Sequence, residues 1–273
     1  MHSDIKSRYI HFLNFLPTVE SFLIDKHSQA NLSVEEKGLY NLVTEADLGA
    51  ELLIQKEIQT FFPGDGILAE EGGAIEPTLG NSGYKWVVDP VDGTTNFAHG
   101  LPLYGISLGL VESENNLPIM GMVFFPELKT YYHAVRGEGA YREKKQIFVS
   151  KTKTMKDSLF VTGFPYDRNQ SLDALLVYYK SILQKSRGIR RTGAATLDLC
   201  WLAEGKFDGY YEMGLKPWDV AAGGLIVQEA GGRLSTMDGN NFDIFAPSLL
   251  ASNNILHDFL LIEFQEQVNR VVY

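Results

Sequence analysis

The chain has 273 residues, 45% of them hydrophobic, with 34 acidic against 24 basic side chains and a formal charge of −10. That length supports one large domain or two small ones with a sizeable core, and the charge argues against a broad basic surface for nucleic acid or an anionic membrane. A single cysteine, Cys200, excludes an internal disulfide framework and fits a reducing compartment, the cytoplasm.

At the N-terminus, MHSDIKSRYIHFLNFLP places Asp4, Lys6 and Arg8 where a signal peptide needs an unbroken apolar stretch. No run elsewhere approaches the ~18 apolar residues of a membrane span, so the expectation is a protein neither exported nor embedded. Ile5, Tyr9, Phe12, Leu13, Leu16, Val19 and Leu23 recur at helical spacing and predict a first helix. Leu48, Leu52, Ile58 and Phe62, after the start signal LVTEAD, predict a second. KWVVDP, GISLGLVE, IMGMVFFP and TYYHAV follow, bounded by Gly, Pro and Asn, and predict a large, mostly antiparallel sheet. Beyond them, SLDALLVYYKSILQK and AATLDLCWLAEG read as helices, KFDGYYEM as a strand, and WDVAAGGLIVQEAGG as a helix closed by Gly231. With no repeat, low-complexity tract or long linker, the chain reads as one compact α and β unit with sub-domains 1–150 and 151–273.

The chemistry concentrates in WVVDPVDGTTNF, residues 86–97. Pro90 fixes its own φ and biases Asp89 toward an extended conformation, so Asp89 and Asp92 can address one space. Gly93 permits close backbone approach, and a helix beginning there would aim N–H groups at an anion. Taken alone, the stretch is equally well an Asx-type turn. ILAEEGG (67–73) brings Glu70 and Glu71, otherwise acids of a solvated turn. KPWDVAAGG (216–224) brings Asp219, otherwise a helix N-terminal acid complementing the macrodipole. Together, Glu70, Asp89, Asp92 and Asp219 form an oxygen donor set of the kind that holds Mg²⁺ beside phosphate.

In this combination, with support from KGLYNLVTEAD, RRTGAATLDL and GYYEMG, the chain resembles the inositol monophosphatase family. These are Mg²⁺-dependent, lithium-sensitive sugar phosphatases, and the likeness is nearest to the bacterial inositol-1-monophosphatase branch. The motifs run in family order from about residue 37 to residue 232. The resemblance implies an α+β fold, a layered α-β-α-β-α sandwich, dimeric, with two or three Mg²⁺ ions between the sub-domains. It implies that Glu70, Asp89 and the carbonyl of Val91 hold one metal, and that Asp89 bridges to a second held by Asp92 and Asp219. It makes the nucleophile a metal-activated water polarised by Glu70 and by Thr94, whose hydroxyl pairs with Asp47. Thr44 and Asp47 also carry a capping-box signature, and the expectation is that Thr44 caps while Asp47 faces the site. The N–H groups of Gly93 and Thr94 would hold phosphate. Glu212 would accept hydrogen bonds from polyol hydroxyls, beside a pocket segment, TGAAT, that includes Gly193 and Ala195.

Two departures stand out: Ala69 where many members carry Gly, and Ala194 where Ser or Thr is common and a pocket hydroxyl is thereby lost. His99 reads as a loop residue, since the donor set is all oxygen, and Cys200 as a buried, inert thiol. Arg187, Arg190 and Arg191 form a basic cluster, by itself a solvated face, to which the resemblance adds an interface or anion-steering role as the alternative. The leading expectation is hydrolysis of myo-inositol monophosphate or a similar small polyol phosphate, without broad nucleic-acid binding or membrane attachment. The alternatives are the same chemistry on fructose 1,6-bisphosphate, a nucleotide 3′-phosphate or NADP, and a regulatory binding protein on the same scaffold.

Overall fold

The two opening helices form where spacing predicts them, with a difference in which face is buried. A computed structural model describes residues 3–29, 34–38, 41–165 and 172–271. Leu39, Tyr40 and Ser171, each within a motif or helix named above, lie outside the described residues. Helix α1 (Ser3–His27) buries Phe12, Leu16, Val19 and Leu23. Helix α2 (Glu45–Phe61) follows a short hairpin of β1 (Val34–Gly38) and β2 (Asn41–Thr44). Its buried face is Ala46, Asp47, Ala50, Glu51, Ile54 and Ile58, whereas Leu48 and Leu52 are 53% and 66% exposed. The α2 leucines therefore mark the outer face, because the inner face carries two acids.

The first sheet has eight strands: β3 (Gly66–Ala69), β4 (Gly73–Ile75), β5 (Tyr84–Asp92), β6 (Gly105–Glu112), β7 (Pro118–Phe125), β8 (Thr130–Val135), β9 (Ala140–Arg142) and β10 (Lys145–Gln146). Their spatial order is β10-β9-β8-β7-β6-β5-β3-β4, antiparallel except for the β3–β5 pair. Helix α3 (Thr94–Ala98) interrupts the run between β5 and β6. The second sheet is mixed, with five strands: β11 (Leu159–Thr162), β12 (Gly188–Arg190), β13 (Gly209–Met213), β14 (Arg233–Ser235) and β15 (Ser248–Ser252), ordered β12-β11-β13-β15-β14. The KFDGYYEM strand is thus confined to its last five residues. Helices α4 (Leu172–Lys185), α5 (Ala195–Ala203), α6 (Pro217–Glu229) and α7 (His257–Val271) complete the chain, and Gly231, at φ 88°, follows α6 as expected.

Packing sorts these elements into five layers. α1 and α2 cover one face of the large sheet, α5 and α6 fill the space between the sheets, and α4 and α7 close the far side of the small sheet. The period of two along β5 shows how: Trp86 and Val88 enter the α1/α2 core, while Val87 enters the α5/α6 core. The expected α-β-α-β-α sandwich is therefore the fold. α6 sits unusually close to the sheet. A Cβ at Gly121 would lie 2.7 Å from the Ala222 carbonyl oxygen, so glycine sets how near the second turn of α6 approaches β7.

Candidate active site

The spacing of Asp89 and Asp92 raises a geometric problem that the sheet solves. In a regular strand, residues three apart point to opposite faces. Asp89 pairs with Ser107 and Asp92 with Gly105, so three steps along β5 match two along β6, and one extra residue bulges out. The bulge returns both carboxylates to one side, and its span includes Pro90, a residue that an unbulged central strand would exclude. Parallel β3 pairs Ala69 with Val88, and the Glu70 N–H donates to the Val88 carbonyl at 3.2 Å, which sets Glu70 beside Asp89. Ser107, opposite Asp89 in the ladder, donates its hydroxyl to the Trp218 carbonyl at 3.1 Å and pins the first turn of α6. Asp219 comes next in that turn, its Oδ2 accepting the Lys216 N–H at 2.7 Å.

Asp89, Asp92 and Asp219 each bring a carboxylate oxygen to within 4.8 Å of the other two. Asp89 and Asp92 are buried and Asp219 is half-buried. Burial pushes the Asp89 carboxyl well above its usual range, and the charges of Glu70, Asp92 and Asp219 push it further. Asp219 is raised for the same reasons, by burial and then by Asp92, with Glu70 adding to it, and Asp92 is raised by burial. A set of buried acids that oppose one another's ionisation, offering oxygen alone, fits a hard divalent cation. Val91 lies between the aspartates, its N–H donating to Asp89 Oδ1 at 3.0 Å and its carbonyl accepting the Thr94 hydroxyl at 3.1 Å.

Asp47 does both of the things that the sequence divided between two residues. Its Oδ2 accepts the Thr44 N–H at 2.9 Å and the Thr44 hydroxyl, closing the capping box of α2. Its Oδ1 lies 3.0 Å from the Thr94 hydroxyl. Gly93 is the N-cap of α3 at φ 92°, and a Cβ there would lie 2.9 Å from the Leu103 carbonyl oxygen. The N–H groups that follow it precede any intrahelical acceptor.

Asp92 also organises the second half of the site. It accepts the Ala195 N–H at 3.1 Å, the Thr196 N–H at 2.7 Å and the Thr196 hydroxyl, so a carboxylate from β5 caps α5. Ala194, the N-cap by position, offers no side-chain cap and is buried against Gly93. Its methyl group therefore packs inside the site wall. Gly193 lies beside Asn96, whose side chain donates to the carbonyls of Leu103 and Thr192 at 2.7 and 2.9 Å. Asn96, Thr196 and Ser107 are positioning residues that the sequence reading did not single out. Their partners lie some hundred residues away in the chain, beyond any local signal.

Glu212, on β13, accepts the Tyr210 hydroxyl at 2.6 Å, and its carboxylate lies so close to Gly163 that a Cβ there would sit 2.1 Å from Oε2. Burial raises its pKa to about 7 against the opposing pull of the Tyr210 hydrogen bond and of Arg191. Arg191 stacks over Phe164 with 5.8 Å to the ring centroid, and Arg187 pairs with Asp157 on the surface. Arg190 is exposed and bonds the Ile189 carbonyl. His99 is exposed at the end of α3, and Cys200 is a buried free thiol.

The sequence profile of the inositol monophosphatase family matches residues 18–269. The chain belongs to the inositol monophosphatase family. It is 40% identical over 233 residues to a chloroplastic phosphatase, IMPL1, of Arabidopsis thaliana, covering 84% of this chain and 62% of that protein. It is 38% identical over 229 residues to the fructose-1,6-bisphosphatase/inositol-1-monophosphatase of Aquifex aeolicus, covering 84% of each. It is 39% identical to the Nus factor SuhB of Pseudomonas aeruginosa, covering 86% of each. The crystal structure of the extragenic suppressor protein suhB from Bartonella henselae superposes with a TM-score of 0.85 at 33% identity, covering 90% of this chain and 94% of that one. Family membership and the acid cluster support a phosphatase that uses a divalent metal. No helix among the described residues is long and apolar enough to cross a membrane.

Proposed function

We propose that this family member hydrolyses the phosphomonoester of a small polyol, myo-inositol monophosphate before others, with Mg²⁺ as its cofactor. The observation that carries the reading is the meeting of Asp89, Asp92 and Asp219 at the ends of β5 and α6, directly before the Gly93–Thr94 turn. Cation ligands and an anion cradle adjoin there, as a phosphate ester beside a metal requires. Glu70, Asp89, Asp92, Asp219 and the Val91 carbonyl are the residues that would hold two or three Mg²⁺ ions. When bound, Mg²⁺ supplies neutralising charge to the phosphate and a lowered pKa to water.

The rest falls to the chain's own groups. Thr94, its proton within reach of Asp47 and the Val91 carbonyl, turns a lone pair toward the attacking water. Glu70 takes that water's other proton as a general base while the new P–O bond forms and the ester P–O bond breaks. The departing alkoxide takes up a proton from solvent water to leave as the free polyol. The N–H groups of Gly93 and Thr94 cradle the phosphate oxygens. Glu212, steadied by Tyr210, accepts hydrogen bonds from polyol hydroxyls, with Gly193 and Ala195 forming the adjoining wall. The reading keeps the division near residue 150, a homodimer, a cytoplasmic protein and inhibition by Li⁺.

The test is phosphate release with Mg²⁺ from myo-inositol 1-phosphate, glycerol 2-phosphate, fructose 1,6-bisphosphate, 3′-phosphoadenosine 5′-phosphate and NADP, with Asp219→Asn as control. Preference for inositol phosphate, abolished in the variant, supports the reading. A tenfold preference for another substrate, ~1.4 kcal/mol of transition-state discrimination, keeps the metal assignment and overturns the role of Glu212. Fructose 1,6-bisphosphate is the competitor with most support, since the Aquifex relative carries both activities in its name. No turnover of any ester shifts the reading to a binding protein.

A further inference from the structure

Helix α2 carries a second buried acid, one turn beyond Asp47 and on the same face. Glu51 is 3% exposed. Its Oε2 accepts the Glu71 N–H at 2.8 Å, and its Oε1 accepts the Gly72 N–H at 2.6 Å and the Gln55 side-chain amide at 2.8 Å. A buried carboxylate is costly unless strongly hydrogen-bonded, and here the compensation comes from backbone N–H groups immediately after Glu70. The turn is shaped to receive it. A Cβ at Gly72 would lie 2.8 Å from Glu51 Oε1 and 2.7 Å from Gln55 Nε2.

We infer that Glu51 is a positioning residue for Glu70. The Glu70 main chain is held on its N-terminal side by the β3–β5 ladder, ending in its own N–H bond to Val88 at 3.2 Å. On its C-terminal side it is held by the two N–H bonds to Glu51. With both flanks fixed, the main chain holds Glu70 at the end of β3, where the parallel register with β5 sets it beside Asp89. One helix thus sets two separate halves of the chemistry, Asp47 orienting Thr94 and Glu51 orienting Glu70. The inference rests on the phosphatase reading for its effect on turnover, but its effect on metal affinity is independent of any substrate.

Glu51→Gln keeps the shape and replaces one acceptor with an N–H₂ that opposes a backbone N–H. Gly72→Ala keeps the acid's charge and drives the Glu51 carboxylate and the turn apart. For both variants the readouts are Mg²⁺ affinity by calorimetry, thermal unfolding without metal, and kcat and KM measured separately. The expected result is Mg²⁺ binding weakened by about 10-fold or more, as for other groups that orient a ligand. The kcat should fall by about 10²-fold, as for a misplaced catalytic group, and KM should move far less. A folded variant whose Mg²⁺ affinity and kcat both stay at the wild-type values overturns the inference. So does a loss of activity that only follows the fraction unfolded. If Glu51→Gln does not fold, Gly72→Ala decides. A wild type that binds Mg²⁺ but hydrolyses nothing defeats the phosphatase reading alone, and calorimetry on the variants then decides Glu51. A wild type that binds no Mg²⁺ defeats both.

Discussion

The Thr94 hydroxyl lies 3.0 Å from Asp47 Oδ1, while the other oxygen of the same carboxylate closes the capping box at Thr44. One buried acid therefore ties the start of α2 to the turn after β5, and the two attachments are separable. Thr94→Val removes the hydroxyl and leaves the cap intact. Its kcat for phosphate release is expected to fall by roughly 10²–10³-fold, the usual loss for one oriented polar group in an active site, with a stability loss of about 1 kcal/mol for the missing buried hydrogen bond. Asp47→Ala should lose the same activity and, in addition, about 0.5–2 kcal/mol of stability from the missing cap. Steady-state kinetics paired with chemical denaturation checks both. Equal stability of the two variants would mean that the cap contributes nothing.

Asp89 gives a prediction of opposite sign for stability. Its carboxyl is raised well above 3.8 by burial and by the neighbouring acids, so at pH 7 the unfolded chain ionises it freely and the fold resists. That cost is present at high pH and disappears as pH falls toward 3.8. Asp89→Asn, which keeps an oxygen for the Val91 N–H, is expected to unfold at a higher temperature than wild type when metal is absent. Wild type should gain about 2.7 kcal/mol from Mg²⁺ at 100 times its dissociation constant, and the variant should gain far less. Calorimetric unfolding with and without Mg²⁺ decides it. A variant less stable than metal-free wild type would contradict the account.

How much of this was legible in the sequence depends on the range of the signal. The capping box at Thr44 and Asp47, the Gly231 stop and the strand leading into Asp89 are written in adjacent residues, and the structure has each of them. The bulge that turns Asp89 and Asp92 to one side is half-written: Pro90 disfavours a regular ladder, but the partner register belongs to β6. Capping of α5 by Asp92 was invisible, because the carboxylate comes from 104 residues before the Thr196 N–H. The buried face of α2 is not the one that apolar spacing marks, for a physical reason. Leu48 and Leu52 look like core residues at helical spacing, while the true inner stripe includes Asp47 and Glu51. Polar groups required by a site defeat the rule that apolar residues point inward.

Asp65 anchors α1 to the sheet. Its oxygens accept the Arg8 guanidinium at 2.5 and 2.7 Å, the Ser82 hydroxyl at 2.6 Å and the Trp86 indole at 2.8 Å, and Arg8 lies over the rings of Phe62 and Tyr84. Removing the acid leaves a buried guanidinium facing two other donors. Asp65→Ala is therefore expected to cost about 3–5 kcal/mol, the range for breaking a buried pair from one side. Arg8→Ala should cost less, since Asp65 keeps Ser82 and Trp86. Neither residue reaches the acid cluster, so at a temperature where both variants stay folded their kcat should match wild type. Denaturant titrations ranking Arg8→Ala as the more damaging would overturn the assignment.

His257 sets an acid limit on stability. It is buried at the start of α7, with Ser235 Oγ 2.9 Å from Nε2 and Ser252 Oγ 2.9 Å from Nδ1. Burial, and then the charge of Arg233, lower its pKa from 6.5 to about 4, so the folded protein holds it neutral while the unfolded chain protonates it. A group with a depressed basic pKa contributes stability that is intact above 6.5 and lost as pH falls toward 4. His257→Gln can still bond a serine hydroxyl but cannot take up a proton. The variant is expected to start about 1–3 kcal/mol less stable at pH 7.5, having lost part of a buried hydrogen-bond pair. Its stability should then fall less steeply than that of wild type between pH 6.5 and 4. The difference between the two curves isolates this group from Glu212, whose raised carboxyl pKa tilts both profiles the other way. Denaturant titrations at half-unit intervals of pH measure that difference, and parallel curves would mean that His257 is protonated in the fold.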